Sequence, residues 1–323
     1  MRTAFFGAFC LLAAALAPRL QAQDRTLREY PLGEVSYVTT PADIQVADKI
    51  FKDLAQAKEY AYGQGLELSS AQLMLIAAKA LLRTPYVAGT LESEALPVNA
   101  SDSLPGKERL RISLTQTDCI LFVETCLDIA KVASRQGFGI AREAFSYFPQ
   151  LAAEILKSRY RGGVCQHYSD RIHYTTEWIR RQPESLKDLT LELGGQVYRH
   201  QIYFMSRKRS KYRQLAGNDP ESFYNFQKIK EVEKNLNREP LSYIPSAKVA
   251  SVQGRIQSGD IICFVSSTPG LDIDHVALAY TEGRPGFIHA SSAEGKVVID
   301  KKTIAEYVAG RKSLAGIKVI RPL

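Results

Sequence analysis

Residues 115–126 read TQTDCILFVETC, an Asp-Cys pair at the mouth of an apolar run. A cysteine there has three uses: half of a disulfide, a small filler of a helix face, or a nucleophile. Positions 119, 122/123, 126, 129/130 and 133 make a stripe at helical spacing, so Cys119 and Cys126 share a face two turns apart. Cys126 lies in mid-stripe and reads as a small buried residue. Cys119 falls in the first turn, right after Thr117-Asp118. There, unpaired N–H groups and the positive end of the helix dipole favour a thiolate over a thiol. A nucleophilic thiol also needs a base. Among five histidines, His275 opens HVALAY and His289 lies in FIHAS, with a turn near 282–285 between them. A hairpin with that turn brings both imidazoles toward one end of neighbouring strands. One can then accept the thiol proton while the other orients it, which is the arrangement of acyl-transfer catalysis.

These residues need a helix and a sheet to hold them. Residues 118–134 read as a central apolar helix ended by Gly137, preceded by a short strand at 110–114 (LRISL). Two helices come earlier, over 42–63 and in SSAQLMLIAAKALL, the second capped by Ser69 or Ser70 and closed by Thr84-Pro85. TPYVAGTLE is turn-rich, 93–106 is a loop, and a further helix covers about 142–158 before the loop RYRGGVCQHYSDR. HYTTEWIRRQ reads as one more helix, LTLELGG and HQIYFMS as strands, and PESFYNFQKIKEVEKNLN as an exposed helix. The last third alternates strands and turns: IICFVS, HVALAY, FIHAS and KVVID, then the helix KKTIAEYVAG and the strand GIKVIRP. Helices first and an antiparallel sheet after them make an α+β chain.

The opening MRTAFFGAFCLLAAALAPRLQAQ has the layout of a secretory signal peptide, with cleavage expected after Ala22. Its apolar stretch is too short for a comfortable membrane span, and no other stretch approaches the roughly 20 apolar residues that a span needs. The expected mature protein is periplasmic or secreted, with no stable membrane insertion. The full chain carries a formal net charge of +8; losing Arg2 and Arg19 with the leader, and no acid, leaves +6. That mild excess suits anionic surfaces such as cell-wall polymer. Nucleic acid is not expected, because the basic residues are scattered and the dense run SRKRSKYR reads as a solvated face. Cys119, Cys126, Cys165 and Cys263 remain, too few for a disulfide-built scaffold. Cys165, His167, Asp170 and His173 fit no common zinc spacing, so neither metal nor cofactor is expected.

The order of motifs resembles the NlpC-type cell-wall cysteine amidohydrolases, a papain-like superfamily. TPYVAGTLE, TDCILFVETCLDIA, RGGVCQHYSDRIHYTTEWI, PLSYIP, SGDIICF, GLDIDHVALAY, FIHASSAEGKVVID and GIKVIRP are similar to the N-acetylmuramoyl-L-alanine amidase-like branch, from about residue 80 to the end. The resemblance implies a papain-like α+β fold over 81–323, behind a leader (1–22) and an N-terminal helical segment (23–80). It implies Cys119 as nucleophile, His275 as general base and His289 as the orienting third residue. The backbone of Asp118, with the N–H of Cys119, would support an oxyanion. Ala277 stands where many relatives have glycine, and an alanine fits a strand. Arg171, His173, Tyr160 and Tyr174 gather in the following block, and Tyr86 lies in TPYVAG; these are the candidate substrate contacts, Arg171 for a carboxylate. The implied partner is peptidoglycan or a muropeptide, cut between the lactyl group of N-acetylmuramic acid and L-alanine. The alternatives are the D-glutamyl–diaminopimelate bond of the same polymer and a non-catalytic wall-binding module. A transglutaminase-like enzyme would want a carboxylate where His289 stands.

Overall fold

The computed structural model describes residues 24–91, 108–136 and 146–323. The expected leader, the loop at 93–106, Gly137 and the start of the helix expected from about 142 lie outside the described residues. The described chain is a mixture of helices and an antiparallel sheet, as the α+β reading expects.

The N-terminal segment was expected to be helical, yet it begins with a hairpin. Strands β1 (Arg28–Leu32) and β2 (Val35–Thr39) pair antiparallel, with Leu32 opposite Val35. Gly33, at φ +62°, takes the first place of the two-residue turn, where glycine has no steric cost. Residues 28–39 alternate only weakly in polarity, which hides the strands in the sequence. A short strand β3 (Leu110–Arg111) runs parallel to β2 and completes a three-stranded sheet. Helix α1 (Pro41–Gly63) then opens on a capping box between Thr40 and Asp43, with Pro41 at the first helical position. Helix α2 (Ser70–Ala80) opens on a second box, Ser69 with Gln72.

Helix α3 (Cys119–Ser134) is the centre of the molecule. Asp118 is its N-cap, accepting the Leu121 N–H at 2.9 Å. It packs between α2 and α4 (Phe148–Arg159) and against the strands that carry the histidines. Cys126 and its stripe neighbours Phe122, Ile129, Ala130 and Ala133 are almost wholly buried.

The main sheet has eight strands. Seven follow the order β10 (Lys296–Ile299), β9 (Gly286–Ser291), β8 (Ile273–Tyr280), β7 (Ile261–Ser266), β11 (Leu314–Pro322), β6 (Leu241–Pro245) and β5 (Gln196–Tyr198); β4 (Leu186–Asp188) pairs with β11. The sheet is buried on both sides, which is why IICFVS reads as a continuous apolar run. One face, with Ile261, Cys263, Val276, Leu278 and Ile288, joins the core around α3. The other, with Ile262, Phe264, Ala277, Phe287 and Val319, is covered by helices Ser246–Val252 and α7 (Ile304–Ala309). Gly316 allows the closest approach in this sheet, since a Cβ there would stand 1.9 Å from the Ile244 carbonyl oxygen.

Two expected strands are not strands. LTLELGG is a turn, and the pairing belongs to Leu186–Asp188 just before it. Part of HQIYFMS forms a single helical turn, Phe204–Arg207, and the strand is again just before it, Gln196–Tyr198. The backbone there is satisfied by side chains instead of a ladder: Asn237 accepts from the Ile202 N–H and Glu233 from the Ser206 N–H. Tertiary contacts override the alternating pattern. HYTTEWIRRQ contains the helix α5 (Thr175–Arg180), and PESFYNFQKIKEVEKNLN forms α6 (Pro220–Leu236).

Candidate active site

Cys119 stands in the first turn of α3, where the sequence reading put it, partly buried in the lining of a cleft of about 210 Å³. Tyr86, His275, His289, Tyr307 and Arg311 line the same cleft, with Ser291–Ala293 on its rim. Pairing along the sheet explains the approach of the histidines. His275 lies opposite Phe264 at a bulge between β7 and β8, and His289 lies opposite Val298 on β10. The two rings meet edge to face, with His275 Nε2 2.7 Å from His289 Nδ1. Tyr307, from α7, closes the other side: its ring lies 6.0 Å from His275 and 5.8 Å from His289. The Arg311 guanidinium covers Tyr307 at 3.5 Å.

Tyr86 owes its place to the extended stretch of TPYVAG. The Tyr86 N–H donates to the Gly295 carbonyl at 2.8 Å, and the Thr84 carbonyl accepts from the Val297 N–H at 2.8 Å. On its other side the same stretch meets Thr117, whose N–H donates to the Pro85 carbonyl. Tyr86 is thereby strung between the edge of the sheet and the residues leading into α3.

Electrostatics differ from the expectation in one respect. Helix position alone favours a thiolate, but burial pushes the Cys119 thiol up to about 12, and the Asp118 carboxylate pushes the same way. The N–H groups of Val276, Ile120 and Cys119 act on the sulfur in the opposite sense and are outweighed. Burial also holds the histidines neutral. His275 is lowered to about 3, with His289 and Arg311 adding to the effect. His289 is lowered to about 4, against the pull of Asp300. The resting site is therefore a thiol beside a neutral imidazole.

The other sequence-chosen residues separate into two groups. Arg171 and His173 line a different cavity of about 120 Å³ behind Asp118, with Glu124 and Arg159. Arg171 is buried, its Nε 3.2 Å from Glu108 and its guanidinium over the Tyr168 ring. Its charge and that of Arg159 act on Asp118, partly offsetting the upward push of burial there. His173 meets the Tyr168 carbonyl at 3.0 Å and is held neutral by burial. Tyr160 and Tyr174 line neither cavity: Tyr160 donates to Glu108 and Tyr174 to Glu233, both from the interior. Among the described residues no three His, Cys, Asp or Glu side chains converge as a metal would require. His167 instead pairs with Glu221, and Asp170 accepts the backbone N–H groups of Gln166 and His167. All four described cysteines are free thiols. No described helix is long and apolar enough to cross a membrane.

Four groups at the site were not singled out from the sequence: Asp300, Tyr307, Arg311 and the backbone N–H of Val276. Asp300 had a detectable signal. It follows KVVI, two residues beyond the partner of His289, and diagonal neighbours on adjacent strands share a face.

Comparison with known proteins agrees with this architecture. No curated protein matches the chain. A solved structure described as an N-acetylmuramoyl-L-alanine amidase from Bacteroides uniformis is similar at 31% identity and TM-score 0.66, covering 79% of this chain and 99% of that one. A structure described as a putative xylanase from Bacteroides fragilis shares 31% identity at TM-score 0.61, over 76% of this chain and 98% of that one. A protein from Legionella pneumophila shares the fold at 17% identity and TM-score 0.55, over 87% of this chain and 96% of its own. The family model described as AmiA-like, N-acetylmuramoyl-L-alanine amidase-like, matches residues 76–317. With three quarters of its length matched, the chain belongs to the N-acetylmuramoyl-L-alanine amidase-like family.

Proposed function

We propose that this protein is a cysteine amidohydrolase of papain-like, NlpC type that cleaves the bond between N-acetylmuramic acid and L-alanine in peptidoglycan or muropeptides. The observation that carries the reading is the convergence of Cys119, His275 and His289 on one cleft, with the imidazoles in contact at 2.7 Å. His275 takes the thiol proton as Cys119 Sγ attacks the amide carbonyl carbon. The N–H groups around the sulfur, those of Cys119, Ile120 and Val276, are placed to receive the oxyanion. His275 then gives its proton to the departing amine as the C–N bond breaks, leaving a thioester on Cys119. Water attacks that thioester, His275 accepts its proton, and the proton returns to sulfur as the C–S bond breaks. His289 holds His275 in place throughout. Because the resting thiol is protonated, proton transfer accompanies attack and does not precede it.

Tyr86 and Arg311 face the substrate in this reading, Arg311 as the cation in the cleft for a carboxylate of the stem peptide. Arg171 and His173 support Asp118 from behind. The site of action is the periplasm or exterior, reached by way of the leader ending near Ala22. A digest of defined muropeptides, read by mass, tests the bond. Free stem peptide with intact sugar is expected; a dipeptide product identifies the D-glutamyl–diaminopimelate bond and overturns this choice. Cys119→Ala is expected to abolish turnover, and wild-type turnover in that variant refutes the thiol mechanism.

A further inference from the structure

A carboxylate outside the proposed Cys119–His275–His289 set stands against the second imidazole. His289 is 2% exposed, and its Nε2 is buried with no aligned hydrogen-bond partner. The Asp300 carboxylate lies 3.2 Å from that nitrogen, off the ideal N–H axis. Catalytic hydrogen bonds are often long in a free enzyme and tighten when substrate binds. Asp300 is itself fixed. Its N–H donates to the Phe287 carbonyl, its carbonyl accepts from Arg284, and its Oδ1 accepts the Lys302 N–H at 2.7 Å. The other oxygen, Oδ2, is left for His289.

A carboxylate offers only acceptors, and a neutral imidazole has one donor and one acceptor. We infer that Asp300 is a positioning residue that locks the tautomers of both His289 and His275, so that His275 keeps a lone pair for the Cys119 proton. With Asp300 facing it, His289 Nε2 carries the proton, and Nδ1 is left as an acceptor. Among the described residues the donor at Nδ1 is His275 Nε2, 2.7 Å away, so His275 carries its proton there. His275 Nδ1 is then the one nitrogen of the pair that can take a proton from sulfur. The reverse arrangement aims a His289 lone pair at the carboxylate and puts the His275 proton on Nδ1, where no proton can be accepted. This inference rests on His275 being the base of the proposed reaction.

The test has two independent readouts on the full chain. In ¹⁵N-histidine-labelled protein at pH 7, with His275→Gln and His289→Gln spectra for assignment, both residues are expected to show a pyrrole-like Nε2 and a pyridine-like Nδ1. Asp300→Asn, whose amide can donate or accept, is expected to give a tautomer mixture at His289. Its kcat should fall about 10- to 100-fold, the scale seen for losing an outer partner that orients a metal-bound imidazole, with KM changed less than about twofold. A pyrrole-like Nδ1 on His289 in the wild-type protein overturns the inference, and that measurement stands even if the variant does not fold. So does an Asp300→Asn protein with the wild-type tautomer and wild-type kcat. Failure of the thiol reading is separable, because it appears as turnover by Cys119→Ala, whereas the spectra report the tautomers whatever the reaction.

Discussion

One structural dependence of the site on the N-terminal segment passes through a single side chain, Asp43, which is 1% exposed. Its Oδ1 accepts the N–H groups of Leu114 and Thr115, both at 2.8 Å. Its Oδ2 accepts from the Thr40 N–H at 3.2 Å and the Thr40 hydroxyl at 2.6 Å. Residues 113–118 are the approach to Cys119, so this carboxylate ties the start of α1 to the strand-end that leads to the proposed nucleophile. Asp43→Ala leaves three backbone donors without their acceptor. An orphaned buried donor costs about 1–3 kcal/mol. Thr115 is half-exposed and partly rescued by water, which places the sum at about 4 kcal/mol. For a chain of this size each kcal/mol lowers Tm by about 2 °C, so a drop of about 8 °C is expected. Asp43→Asn keeps the Oδ1 acceptor and turns an NH₂ toward Thr40, so it should cost about half as much. Thermal unfolding by circular dichroism measures both, and muropeptide turnover well below the lowered Tm measures the effect on the site. There, Asp43→Ala should still lose about tenfold in kcat, because a nucleophile displaced by a fraction of an ångström attacks poorly. A Tm shift under about 2 °C, or full activity in the folded variant, would refute the anchoring role.

Three further outcomes concern the charges around the thiol. Depressed histidines with His275 at about 3 and His289 at about 4 are already neutral at pH 5, so kcat/KM should stay flat through pH 6.5 and fall only below about 5. Arg311 lowers both histidines, so Arg311→Gln should move the acid limb to higher pH, and an unmoved limb would discount its charge. Asp118 raises the Cys119 thiol while also capping α3; Asp118→Asn keeps the cap and removes the charge. Iodoacetamide labelling of Cys119 at pH 8, followed by mass, should therefore be slow in the wild type and faster in Asp118→Asn.

Local signals were enough for the parts of the site that sit on regular elements. The α3 stripe, the helix start at Cys119 and the hairpin separation of His275 and His289 follow from periods and turns, and each lies where those rules place it. What escaped reading depends on contacts between distant segments. Arg171 looks like a ligand-binding arginine in a glycine-rich loop, but folding buries it against Glu108 and Tyr168, some sixty residues of chain apart. Tyr160 and Tyr174 are drawn inside by carboxylates from other elements. HQIYFMS alternates like a strand, yet Asn237 and Glu233 claim its backbone. The direction of the Cys119 shift was also invisible locally, because the helix dipole is a property of the sequence segment and burial is a property of the assembled cleft.

The stretch Arg83–Tyr86 has a consequence for how a substrate can be held. Its hydrogen bonds occupy the Gly295 carbonyl and both backbone groups of Val297, the free side of β10 nearest the cleft. An open strand edge would be a template for any extended peptide, and an intramolecular segment already fills this one. A stem peptide therefore cannot bind by lengthening the sheet there. Under the proposed reaction, recognition runs through side chains across the cleft, so the chemistry at the sugar–peptide junction would be read there and peptides that are merely extended would be ignored.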